Sequence, residues 1–155
     1  MRSLALSLLL LVIVPAAAVA QGRSQGVAAS RLADLSFGTV ISGLPATVLP
    51  TDPTAGEFSV SAPNKALVML TFQLPPALTG PSPMPVTFGP GSAAWSLTNI
   101  PTGATFFNPQ NGVQVQLPPG SRTIYVWLGG SLGTIASSQP SGNYTATLTV
   151  SAVAN

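Results

Sequence analysis

Proline and glycine punctuate this chain from end to end. Sixteen Pro and fifteen Gly occur in 155 residues. They recur at intervals of roughly 8 to 12 residues, the rhythm of short strands joined by turns. Proline removes a backbone donor and glycine weakens helices, so no 3.6-residue apolar pattern persists for three turns beyond the N-terminal leader. Alternation persists instead. After a turn at Pro140-Ser141-Gly142, the residues Tyr144, Ala146, Leu148, Val150 and Ala152 fall on every second position. Thr145, Thr147, Thr149 and Ser151 lie between them. This is the pattern of a strand with one face buried and one wet.

The same reading extends along the chain. Leu32 to Ile41 is expected as the first core strand, with Gly38 marking a bulge where the apolar set changes face. Ala46 to Leu49 reads as a short edge strand between prolines. Glu57 to Ala62 turns Phe58, Val60 and Ala62 inward. Leu67 to Leu74 is the most apolar run and is expected at the centre of a sheet. Met84 to Phe88 and Trp95 to Leu97 are further strands. Thr105 to Phe107 and Val113 to Leu117 read as a hairpin about Asn108-Pro109-Gln110-Asn111-Gly112. In Thr123 to Leu128, Tyr125 and Trp127 share one face, and Ile124, Val126 and Leu128 the other. If the aliphatic set is core, Tyr125 and Trp127 form a candidate contact surface. The expected fold is all-β, an immunoglobulin-like antiparallel sandwich of about seven to nine strands.

The first twenty residues read as a cleaved secretory signal peptide. Arg2 supplies the positive end, Leu4 to Val14 an apolar run too short for a bilayer span, and Ala18-Val19-Ala20 a small-residue cleavage site. The expected organisation is a signal peptide over 1–20, a flexible tail or donor segment over 21–30, and a sandwich domain over 31–155. The mature form carries no expected membrane span, and its location is the periplasm, cell surface or extracellular space. Loss of Arg2 with the leader lowers the net charge from +2 to +1. Only 5% of residues are charged. Scattered Lys and Arg do not make a nucleic-acid surface, and a neutral, hydroxyl-rich exterior offers little repulsion between copies.

Catalytic chemistry finds little to work with. The sequence has no His and no Cys, which removes Ser-His-Asp triads, thiol catalysis and the usual zinc ligands. The acids are Asp34, Asp52 and Glu57. Asp52 and Glu57 flank one turn, whose residues read as a plain solvated turn or, as the alternative, a weak calcium pair with backbone carbonyls. Lys65 is the only Lys, and a turn separates it from Ser61. The expectation is a non-enzymatic protein without cofactor, metal site or catalytic residues.

Particular residues resemble a known type of surface protein. The ending, with Gly142 and Tyr144, is similar to chaperone–usher pilins, although Ala154 stands where they carry an aromatic residue. Leu35-Ser36-Phe37-Gly38-Thr39, Gly56 to Ala62, Gly129 to Leu132 and Gly142 to Tyr144 together resemble a family of small secreted bacterial domains thought to be pilin-like. The resemblance implies a structural or adhesive role at the cell surface, as in a fimbrium, through self-association or other surface subunits. In pilins a neighbour's N-terminal segment completes the sandwich by strand addition. The corresponding donor here is residues 21–30, with Val27 and Ala29 as apolar plugs. The alternative is a monomeric secreted or periplasmic module that binds a ligand such as a glycan through exposed aromatic residues.

Overall fold

The computed structural model describes residues 26–154. The signal-peptide reading of residues 1–20 and the first half of the candidate donor segment, residues 21–25, lie outside the described residues. The fold is all-β, and no helix occurs among the described residues. Its twelve strands are β1 (Ala28–Ala33), β2 (Ala46–Val48), β3 (Gly56–Ser61), β4 (Leu67–Gln73), β5 (Ala77–Leu78), β6 (Met84–Pro85), β7 (Ala93–Ser96), β8 (Thr105–Phe107), β9 (Val113–Gln116), β10 (Thr123–Leu128), β11 (Gly130–Leu132) and β12 (Thr149–Ala154). All pairs are antiparallel. A five-stranded sheet runs β1-β3-β10-β7-β8, and a three-stranded sheet runs β12-β4-β9. Two small pairs, β11-β2 and β5-β6, complete the set.

The core lies between the two larger sheets. Phe58 and Val60 of β3 and Ile124, Val126 and Leu128 of β10 pack with Val68 and Leu70 of β4 and Val115 of β9. Val60, Val68, Leu70, Ile124, Val126 and Leu128 are fully buried. Burying each such side chain stabilises the fold by roughly 1.5–3 kcal/mol. The alternation read from sequence holds here, because directly opposed residues in an antiparallel pair share a face. Val126 faces Phe58 and Ile124 faces Val60. On the opposite surface of the same sheet, Trp127 faces Glu57 and Ala94, and Tyr125 faces Ser59 and Ser96. β4 is central to its sheet, as its apolar run predicts.

Three expectations need correction. Leu32 to Ile41 is not a strand; the strand is Ala28–Ala33 instead. β3 begins only at Gly56, so the ladder ends where Ala33 meets Glu57, and the chain beyond has no partner strand. The segment 21–30 is therefore not wholly a loose tail, since Ala28, Ala29 and Ser30 pair with Ser61, Val60 and Ser59. Nor is 105–117 a hairpin. β8 pairs with β7 in one sheet, while β9 pairs with β4 in the other. The turn at Asn108 to Gly112 carries the chain across the sandwich. Its Pro109 is fully buried, and Gly112 (φ 67°) would place a Cβ 2.5 Å from the Leu70 carbonyl oxygen. Just before that turn, Phe107 at the end of β8 reaches the ring of Phe72 on β4, with centroids 5.6 Å apart.

Candidate functional site

One side of the sandwich is a seam between β1 at the edge of one sheet and β12 at the edge of the other. Along half of its length the two edge strands run beside each other. Along the other half the seam opens into a cleft of about 990 Å³. One rim is residues 34–42, the chain that follows β1. The other is residues 139–148, the end of a strap (133–148) that leads from β11 to β12. The floor is core: Phe58, Met84, Val86, Phe88, Leu132 and Ile135.

Neither rim belongs to a strand, and the one bridge on them is Thr145 opposite Thr79. On the first, Leu35, Phe37 and Val40 turn partly inward against the core. The inward set changes parity after Gly38, whose φ is 63°; with no ladder here, this is a bend in an unpaired chain and not the bulge expected within a strand. Its backbone tie to the neighbouring turn is Ser36 N–H to the Thr54 carbonyl, 2.9 Å. On the second rim, Tyr144 and Leu148 point inward with the same parity as Val150 and Ala152. Yet Tyr144 to Leu148 is outside β12. The reason lies in the partner strand. β12 ladders with β4 as far as Thr149 opposite Gln73, and pairing resumes only at Thr145 opposite Thr79. Between them stand Pro75 and Pro76, which have no N–H to give.

Gly142 and Tyr144 anchor the far end of the second rim. A Cβ at Gly142 would lie 2.6 Å from the Pro81 ring, and one at Gly80 would lie 2.5 Å from the Tyr144 ring. The two bare glycines thus let the strap seat directly on the 79–83 loop. The Tyr144 hydroxyl donates to the Pro140 carbonyl and accepts from Gln139 Nε2 at 3.1 Å. Gln139 Nε2 also donates to the Ser82 carbonyl at 3.1 Å. Phe37, Gly38, Gly142 and Tyr144, singled out in the sequence as one family-like set, all line this cleft.

The other singled-out residues lie elsewhere. Tyr125 and Trp127 do share the outer face, with rings stacked at 6.4 Å. Trp127, however, is only 4% exposed, packed with Ala94 and Ala104, so it offers no open face for contact. Val27 is partly buried against the core, and Ala29 is exposed in β1. The three acids go separate ways. Asp34 pairs with Arg31 at 2.7 Å, an exposed contact worth about 0–1 kcal/mol. Asp52 accepts the Leu49 N–H at 2.7 Å and so closes its own turn. Glu57 Oε1 is buried beside Trp127 without a hydrogen-bond partner. Among the described residues no three His, Cys, Asp or Glu gather as metal ligands.

Sequence reasoning missed the cleft because its rims are about a hundred positions apart in the chain. The Pro75-Pro76 pair just after β4 is the local signal that pairing stops there. In comparisons with known proteins, no family model, curated protein or solved structure matches the chain.

Proposed function

We propose that this protein is an exported, non-enzymatic structural or adhesive subunit with an immunoglobulin-like sandwich, and that it works by accepting an extended strand into the cleft. The observation that carries the reading is the pair of unladdered rims over an apolar floor. An entering strand gains main-chain hydrogen bonds from both rims and places every second side chain against Phe58, Met84, Val86 and Phe88. The near-neutral sequence adds no charge barrier to contact between copies. The leader sequence supports export. The glycan-binding alternative gains nothing from Trp127, which is covered, or from a cleft floor of mainly aliphatic and Phe side chains.

The test is sizing and negative-stain microscopy of protein beginning at Gln21. Oligomers or fibres are expected. Leu148→Arg places a charge on the rim and abolishes them while cooperative melting is kept. Deleting residues 21–27 asks whether the segment ahead of β1 is the donor, and it leaves the β1–β3 ladder untouched. The reading fails if the protein is a strict monomer whose melting temperature does not rise with added peptides of alternating apolar pattern.

A further inference from the structure

The two rims of the cleft are held unequally. The strap side is pinned. Thr145 exchanges two main-chain hydrogen bonds with Thr79, at 2.7 and 2.9 Å. Gln139 Nε2 donates to the Ser82 carbonyl and to the Tyr144 hydroxyl, each at 3.1 Å. Gly80 and Gly142 seat the strap with no room for a Cβ. The opposite rim is tied only at its ends. Ser36 N–H donates to the Thr54 carbonyl at 2.9 Å, and Gly43 N–H to the Ile135 carbonyl at 2.8 Å. Between those ties, among the described residues, no backbone group of 37–42 bonds to another part of the fold. The two further bonds, Gly38 N–H to Ser36 Oγ and Leu44 N–H to the Ile41 carbonyl, both at 3.2 Å, are local. A glycine stands near each end of the stretch, Gly38 with φ 63° and Gly43 with φ 85°. A Cβ on either would meet nothing within 4 Å, so the backbone angle and not close packing calls for glycine. Few backbone bonds between two hinge glycines mark a segment that moves on its own.

We propose that residues 38–43 are a flap that closes over an extended, uncharged strand in the cleft, while the strap stays still. The inference rests on the reading of the cleft as a strand acceptor and adds how that strand is retained. Val40 is already partly buried against the core, and Ile41 beside it is 64% exposed. An entering strand offers main-chain partners to Thr39 to Ser42 and an apolar surface to Ile41. Both gains exist only with the flap down, and that difference in affinity is what shifts it. Of the residues lining the cleft, only Arg31 and Asp34 are charged, and they pair with each other at 2.7 Å. The flap therefore closes best on a segment without charge.

The chain has no Cys, so introduced thiols are labelled without background. Nitroxide labels on Thr39→Cys and Thr147→Cys, both exposed positions, span the cleft. Labels on Thr147→Cys and Gln114→Cys avoid the flap and serve as the reference pair. The probe is an acetylated, amidated peptide copying residues 144–153, which alternates apolar and hydroxyl residues. Double electron–electron resonance is expected to show the cross-cleft distance shorten when this peptide saturates the protein, with the reference distance unchanged. Ile41→Ser is expected to release a dye-labelled copy of the peptide about tenfold faster than wild type. Its melting temperature without peptide stays that of wild type, because Ile41 faces solvent in the free protein. A cross-cleft distance unchanged with peptide bound overturns the flap and leaves the cleft reading standing, as does release from Ile41→Ser at the wild-type rate. A peptide that does not bind wild type at all overturns the cleft reading and the flap with it.

Discussion

The two halves of the seam are built from the same two chain segments and behave differently. In the closed half, β1 and β12 each ladder onto an inner strand, β3 and β4. In the open half, the continuations of both strands still turn apolar residues inward, with a change of parity after Gly38, but lose their partners. On one side β3 has not yet begun, and on the other the partner strand offers Pro75 and Pro76. The difference teaches that side-chain alternation is not enough to make a strand. A strand also needs a neighbour with free donors and acceptors.

That comparison can be broken or sharpened by mutation, and the largest effect should come from the core that both halves share. Leu70→Ala, at a fully buried position under β12, is expected to cost about 2–5 kcal/mol. Leu148→Ala, on the open rim, should cost only about 1 kcal/mol, because its side chain is already partly wet. Urea denaturation with a constant m-value reads both, and equal losses would deny that the halves differ. Next in size is a gain. Replacing Pro75 and Pro76 together by Thr restores two N–H groups beside the strap. The β12–β4 ladder should then extend toward Tyr144, with about 0.5–1.5 kcal/mol for each new hydrogen bond. Slower hydrogen exchange at Thr145 to Leu148 is the signature, and unchanged exchange would place the cause of the opening elsewhere. The smallest effect is at the anchor. Tyr144→Phe removes the hydroxyl that joins Gln139 to Pro140 and should cost about 0.5–1.5 kcal/mol, seen as faster proteolysis within residues 133–143. A variant as resistant as wild type would mean the ring alone holds the strap.

Much of this architecture is legible in the sequence, and the losses have definable causes. The faces of β3, β4 and β10 follow from two-residue periodicity, because that signal is local. Pairing is not local. Nothing in Thr105 to Phe107 or Val113 to Leu117 reveals that these neighbours join opposite sheets until β7 and β4 are in place to receive them. Alternation in Tyr125 and Trp127 correctly separates the two faces. It cannot reveal that Ala94 and Ala104 close over the indole. Gly142 and Tyr144 stood out as a motif, and their close seating on Pro81 and Gly80 gives the physical reason for that pairing.

The strap also bears on mechanics. Tension applied through the C-terminal end would load β12 in shear against β4, with six residue pairs resisting together. Only after that strand slid free would the strap straighten, to an extended length of at most roughly 50 Å at about 3.3 Å per residue. A pulled molecule would therefore lengthen in one discrete step while the β3–β10 layer kept its shape.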